Sequence, residues 1–403
     1  MKKNSKEKML DISLYITLLI SFSLQNKTIL NVTVIKLGGM WLNIFDLVIV
    51  SCMVVLLFRF SYMYKRGFSK IDLMLIGCFI FFLLMGIARQ NEFASIVYNA
   101  RALFYLIIMF WITKNFKANE MFFYKMLSSC AFLCSSIYFF AFLGSSNVSN
   151  NEYDRLVTFN LQIILLYIAF SIYFLIYKRI SIVNVLNIIY GSIAIFTTQT
   201  RTLIIPVLFM LLFLILYGVL SRKSNFKIKI SLVCASAFLF YFFVFSGFNE
   251  LILNRFINFY SGDESTLDLR LDSAIYNYNT MTVVEKLVGG GFGREISYYT
   301  SFNNYVTDTY SLELYLGEYI IKYGFIGTLL LNSIFFNLVL KGIRFYGFRV
   351  MVLFLILLFS LSISGLSGYT GQLFLGMVLG IFSNKYIKFN SQQKNNSRSV
   401  VVK

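Results

Sequence analysis

The chain has 403 residues, 58% of them hydrophobic and only 13% charged, with a single proline, Pro206, and no histidine. Soluble chains carry about 25% charged residues, so recurring apolar runs of about 20 residues mark an integral membrane protein with helical spans. The lack of histidine excludes imidazole bases, histidine metal ligands and Ser-His-Asp triads, and no metal or other cofactor is expected.

Taken in order, the apolar runs predict spans near 10–25, 42–60, 71–88, 98–113, 121–143, 156–177, 181–197, 203–219, 230–247, 321–340, 348–365 and 371–388. The basic start, Met1 to Lys8, precedes its apolar run without a small-residue cleavage site, so that run reads as an uncleaved first span. The weakly amphipathic segment 28–40 reads as interfacial. Links carrying Lys65, Lys114, Lys178, Arg222 and Lys341 alternate with links poor in lysine. Placing the basic links in the cytoplasm puts 25 of the 36 basic residues inside. The net charge of +18 is then a topological signal, and nucleic acid is not expected as a partner. The fold class that follows is all-α: a polytopic integral membrane protein of about 12 transmembrane helices, one membrane domain over 1–403 with both termini cytoplasmic. Residues 248–320 form one large extracytoplasmic loop bearing short helices, and 389–403 a cytoplasmic tail. The five cysteines lie within apolar runs and read as small core residues.

The outer side is less bland. Of its 11 basic residues, seven are arginine: Arg89, Arg101, Arg155, Arg201, Arg255, Arg270 and Arg294. Topology asks for no arginine there, whereas a planar guanidinium fork grips phosphate oxygens in pairs. Arg201, in TTQTRT (197–202) at the mouth of a span, reads either as a snorkelling anchor or as a clamp for a lipid phosphate. In the loop, STLDLRLDSAIYNY (265–278) has helical spacing, with Leu267, Leu271 and Ala274 on one face, Arg270 close to it, and Asp268 and Asp272 flanking. VGGGFGRE (288–295), which holds Gly291 and Gly293, lacks the ending of a nucleotide P-loop. It reads as a flexible turn or as a nest of backbone N–H groups around an anion. Asp308 to Gly324 reads as an amphipathic helix leading into a span.

These pieces, in this order, resemble the O-antigen ligase / repeat-unit polymerase family of polytopic membrane glycosyltransferases. TTQTRTLIIP stands where that family opens a middle span, DLRLDSA where it has an arginine helix, and GGGFG and YGFIG where it has its glycine turn and final span start. Arg155 with Asn160 fits an earlier arginine–asparagine pair. Ligases of the family carry a His-Asn pair before the final glycine; here the region is TDTYSLELYLGE, which favours the polymerase branch. The resemblance implies a metal-independent enzyme of the bacterial cytoplasmic (inner) membrane. It would join polyprenyl-diphosphate-linked oligosaccharide repeats into a capsular, O-antigen or other envelope polysaccharide. Arg201 and Arg270 would stabilise the diphosphate, with Arg155, Arg255, Asp272, Gly291 and Gly293 around the substrate. A carboxylate, Glu313 or Asp308, would take the proton of the acceptor hydroxyl; Asp272 and Glu318 are further candidates. The implied partners are the lipid-linked substrates, the bilayer, and chain-length regulator and flippase proteins. Two alternatives stand beside this reading: an O-antigen-type ligase, and a flippase for the same lipid-linked oligosaccharide. Spans nearly free of charge and polar chemistry confined to one side favour transfer over transport.

Overall fold

The computed structural model describes residues 69–115, 120–144, 162–177, 182–197, 201–220, 266–300, 305–309, 314–364 and 369–384, the strands 34–37 and 40–43, and scattered positions between 9 and 54 and at 234 and 241. The expected spans at 10–25 and 230–247 therefore lie almost wholly outside the described residues, that at 42–60 lies partly outside them, and Arg155, Arg255, Glu313 and the tail 389–403 lie outside entirely.

The described residues are mostly helical. Two antiparallel hairpins break the all-α expectation: β1 (Val34–Leu37) with β2 (Met40–Asn43), and β3 (Ile296–Thr300) with β4 (Tyr305–Thr309). The first falls at the end of the segment that reads as interfacial. The second falls partly on the stretch that reads as the start of a helix at Asp308. The β-branched and aromatic residues of YVTDT favour a pleated strand over a helix there, and helix begins only at Tyr315.

Helices α1 (Lys70–Ala88), α2 (Phe93–Asn115), α3 (Glu120–Gly144), α4 (Gln162–Tyr177), α5 (Ile182–Thr197) and α6 (Arg201–Leu220) coincide with predicted spans to within a few residues. α7 (Thr266–Thr280) and α8 (Val283–Val288) belong to the long polar stretch. α9 (Tyr315–Ser364) and α10 (Tyr369–Ser383) end the described chain. α1, α2 and the Tyr315–Gly342 part of α9 are each long and apolar enough to cross a membrane. The sequence predicts two spans at 321–340 and 348–365, joined by a basic link. α9 instead continues as helix through Lys341 and Arg344 to Ser364, with one left-handed residue, Gly324 at φ +66°, in its first part. Lysine and arginine are good helix formers, and no proline interrupts the stretch.

α1 and α2 form an antiparallel hairpin fastened at both ends. At one end Ser69 and Asp72 make a reciprocal cap. Lys114 at the end of α2 donates to both Asp72 oxygens, at 2.7 and 2.9 Å, and to Ser69 Oγ at 2.6 Å. At the other end Gln90 takes φ 57°, and its N–H donates to Ile87 O at 3.0 Å while that of Asn91 donates to Gly86 O at 3.1 Å. These are the bonds of a Schellman cap, with glutamine where glycine is usual.

α10 packs most extensively on α2, and its sequence explains how. A Cβ on Gly376 would lie 2.4 Å from Leu106 O, and one on Gly380 would lie 2.7 Å from Thr113 Cβ. This Gly-x-x-x-Gly face lets the two backbones touch. α3, α4 and α5 pack together and are pinned by hydroxyl pairs, Ser128 to Tyr167 at 3.3 Å and Ser136 with Tyr190 at 2.9 Å. α6 packs on α4, α5 and α9. One apolar core runs through the bundle, and a second, small one (Met281, Ile296 and Ile321, with Ala274 and Leu314) holds α7, β3 and the start of α9 together.

Candidate functional site: a polar cleft beside an Arg–Glu–Arg cluster

The cleft is built on the glycine loop between α8 and β3. Thr282 caps the start of α8 and Glu285 returns the bond; the helix ends at Gly289, which takes φ +93° and donates its N–H to Glu285 O at 2.7 Å. The loop that follows is fully buried from Gly289 to Gly293, which corrects the expectation of a flexible turn. Gly290 N–H donates to Ile321 O at 2.9 Å, Gly291 N–H to Lys322 O at 3.0 Å, and Phe292 N–H to Phe82 O at 3.2 Å. These amides are spent on main-chain carbonyls of α1 and α9, so the loop is a packing device, and charge for any anion comes from side chains. Gly291 has φ +76°, and a Cβ there would lie 2.5 Å from Gly86 N of α1. Phe292 is completely buried in the main core, among Phe79, Phe82 and Tyr323.

Pinning the loop to the helix ends brings Arg89, Glu285 and Arg294 together. Arg89 Nη1 and Arg294 Nη1 both donate to Glu285 Oε1, at 2.5 and 2.9 Å. Glu285 Oε2 accepts from Thr282 N–H at 2.9 Å and Thr282 Oγ1 at 3.1 Å. Burial pushes the Glu285 carboxyl up; the Thr282 bonds and the charges of Arg294 and Arg89 outweigh it and hold the group below the usual glutamate range. The cluster carries two positive charges against one negative. Each guanidinium has five N–H donors, and the side chains are 22% and 30% exposed, so both can still reach a ligand.

Arg294 also lines a cleft of about 400 Å³ with Gln90, Asn91, Glu92, Asn277 and Glu295, within the range of small-molecule sites. The amides in its floor are structural. Asn91 Nδ2 donates to Gly290 O at 3.1 Å and Phe292 O at 2.8 Å. Asn277 donates to Ser297 O at 2.7 Å and accepts from Ser297 N–H at 2.9 Å, so its side chain stands in for a neighbouring strand along β3. Glu92 accepts from Ser95 Oγ at 2.8 Å in the first turn of α2. A second, apolar groove of about 530 Å³ runs between α1 and α9, with Ile71, Met74, Phe325, Ile326, Leu329 and Ile334 among its walls.

The residues that the sequence singles out are dispersed around this site. Arg270 and Asp272 lie half-buried on α7, which packs on β3 and α9. Over 270–280, the part of that helix whose burial is described, Ser273 and Asn277 are buried beside partly buried Ala274, while Leu271 of the expected apolar face is exposed. Arg201 is the first residue of α6, and Asp308 stands opposite Ser297 in the β3–β4 register. Gly293 lines the cleft. Glu318 is buried and paired with Lys322 one turn further along α9. Sequence reasoning passes over Glu285 and Asn91. The Thr282-x-x-Glu285 cap signature marks Glu285 only as a capping residue, the arginine excess includes its partners Arg89 and Arg294, and no local signal marks Asn91. Among the described residues, no three carboxylates or cysteines gather as metal ligands.

Comparison with protein-family models gives no match for this chain, and comparison with curated proteins gives none either.

Proposed function

We propose that the protein is a membrane glycosyltransferase that polymerises polyprenyl-diphosphate-linked oligosaccharide repeats into an envelope polysaccharide at the outer face of a bacterial cytoplasmic membrane. The observation that carries this reading is the convergence of Arg89 and Arg294 on one carboxylate at a polar cleft, at the end of two helices of membrane-crossing length. A diphosphate leaving group needs preorganised positive charge, and such charge commonly accounts for more of the rate enhancement than any other single effect. The two guanidiniums supply it beside a cleft with room for a sugar. The apolar groove between α1 and α9 offers the isoprenoid a path beside α1, whose other end carries Arg89. Arg201 and Arg270 come from helices that both pack on α9 and serve in the proposal as further diphosphate ligands. The order of the motifs DLRLDSA, GGGFG and YGFIG adds its support, and the contact of the last two through Gly289 and Gly324 gives that order a physical sense.

The test is conversion of the polyprenyl-diphosphate-linked repeat, isolated from the cells that make this protein, into a polymer ladder by the purified chain. No ladder refutes the reading. Arg89→Lys, Arg294→Lys, Arg201→Lys and Arg270→Lys keep the charge but lose the bidentate fork. Each is expected to lower the yield by ~10²-fold, with Arg344→Lys unaffected.

A further inference from the structure

Of the carboxylates that the sequence offers as proton acceptors, Glu318 and Asp272 do not line the cleft with Arg294. Glu318 is buried and paired with Lys322. Asp308 belongs to β4, and Glu313 lies outside the described residues. Among the described residues, two carboxylates line it, Glu92 and Glu295. Glu92 is engaged at the start of α2, where its carboxylate accepts from Ser95 Oγ and its main-chain oxygen from Ile96 N–H. Glu295 is exposed, and among the described residues it makes no hydrogen bond or ion pair. It follows Arg294 directly and is held by Ile296, which is fully buried in the small core. Its base is thus fixed while its head group opens to the cleft.

We propose that this cleft holds the acceptor sugar and that Glu295 takes the proton from the attacking hydroxyl; the inference rests on the function proposed above. In the step, the hydroxyl oxygen bonds to the anomeric carbon of the donor chain. The bond from that carbon to the diphosphate oxygen breaks, and its electron pair leaves with the polyprenyl diphosphate. The hydroxyl proton passes to the Glu295 carboxylate. Arg294, the preceding residue, balances the charge of the leaving group, so acid–base and electrostatic roles fall on adjacent positions. A neutral hydroxyl is a weak nucleophile, and a positioned base typically contributes ~10²–10⁴-fold.

The experiment uses the full-length protein in detergent with the same isolated lipid-linked repeat. Single-turnover transfer and donor binding are measured for the native chain, Glu295→Gln and Glu295→Asp, each checked by size-exclusion profile. Glu295→Gln is expected to transfer ~10²-fold more slowly with donor affinity unchanged, and Glu295→Asp to retain an intermediate rate. Native-like transfer by Glu295→Gln overturns the inference and leaves the proposed function standing. Loss of donor binding in step with rate also overturns it, since the residue would then be a binding group. A native chain that makes no polymer refutes the function, and the inference falls with it.

Discussion

The side-chain amide of Asn91 donates to the main-chain oxygen of Phe292 at 2.8 Å, across 201 residues of chain. One residue in the turn between α1 and α2 thereby fixes the loop that carries Arg294. A second bond from the same nitrogen reaches Gly290 O, so a single amide group bridges two loop carbonyls.

Asn91→Ala leaves both carbonyls without that donor. Each partly buried acceptor left unsatisfied costs about 1–3 kcal/mol, so a clear fall in detergent melting temperature is expected. Hydrogen exchange should quicken over 289–295 and stay unchanged over 120–144. Equal exchange in both regions would mean that Asn91 does not hold the loop.

The Glu285 carboxyl is held below its ordinary value, so its bridge is fully formed above the unfolded glutamate pKa. The stability it contributes is lost as pH falls through the lower folded value. Acidification from neutrality should therefore leave the loop intact until below the ordinary glutamate range of about 4, then release it. Glu285→Gln should show the released behaviour already at neutral pH. The loss is about 1–3 kcal/mol, toward the lower end because both arginines are partly exposed. Thermal melts of the two proteins across pH read the difference directly; parallel curves would show that the bridge contributes nothing.

The contact of α2 with α10 depends on the absence of side chains at Gly376 and Gly380. Gly380→Leu would place its first carbon 2.8 Å from Phe110 O, forcing the helices apart and opening the core around Phe374 and Phe382. Overpacking of this kind typically costs about 1–3 kcal/mol, occasionally more. Lower folded yield in detergent and a lower melting point are expected, with Gly77→Leu, where nothing lies within 4 Å, as the silent comparison.

Legibility in the sequence follows the strength of the physical signal. Long apolar runs give α1 to α6 and α10 close to their observed bounds, because a long run poor in proline and charge favours a helix, which satisfies its backbone polar groups within the segment. The break expected inside α9 rests on charge alone; charge sets topology but does not terminate a helix. α7 is legible as a helix, yet its buried face is not, because Asn277 is buried to satisfy a strand edge rather than to shed apolar surface. The β3–β4 hairpin is hidden by an apparent amphipathic period through Asp308 to Gly324. At the site, an excess of outer arginine is visible. That Arg89 and Arg294 share Glu285, 196 residues from Arg89, requires the fold. Nothing local to Glu285 distinguishes it from an ordinary capping residue.

The burial of Phe292 has a consequence for how such proteins can be rebuilt. Its ring fills a hole between α1 and α9, and its carbonyl lies where any side chain on Gly86 would have to go. A loop transplanted from another protein would need a matching bulge, and the recipient helices would need a matching recess. Hybrid proteins that exchange the loop alone should misfold, whereas those that exchange residues 79–91, 283–296 and 318–327 together should fold. The unit of inheritance at this site is a lock with its key, spread over three distant parts of the chain.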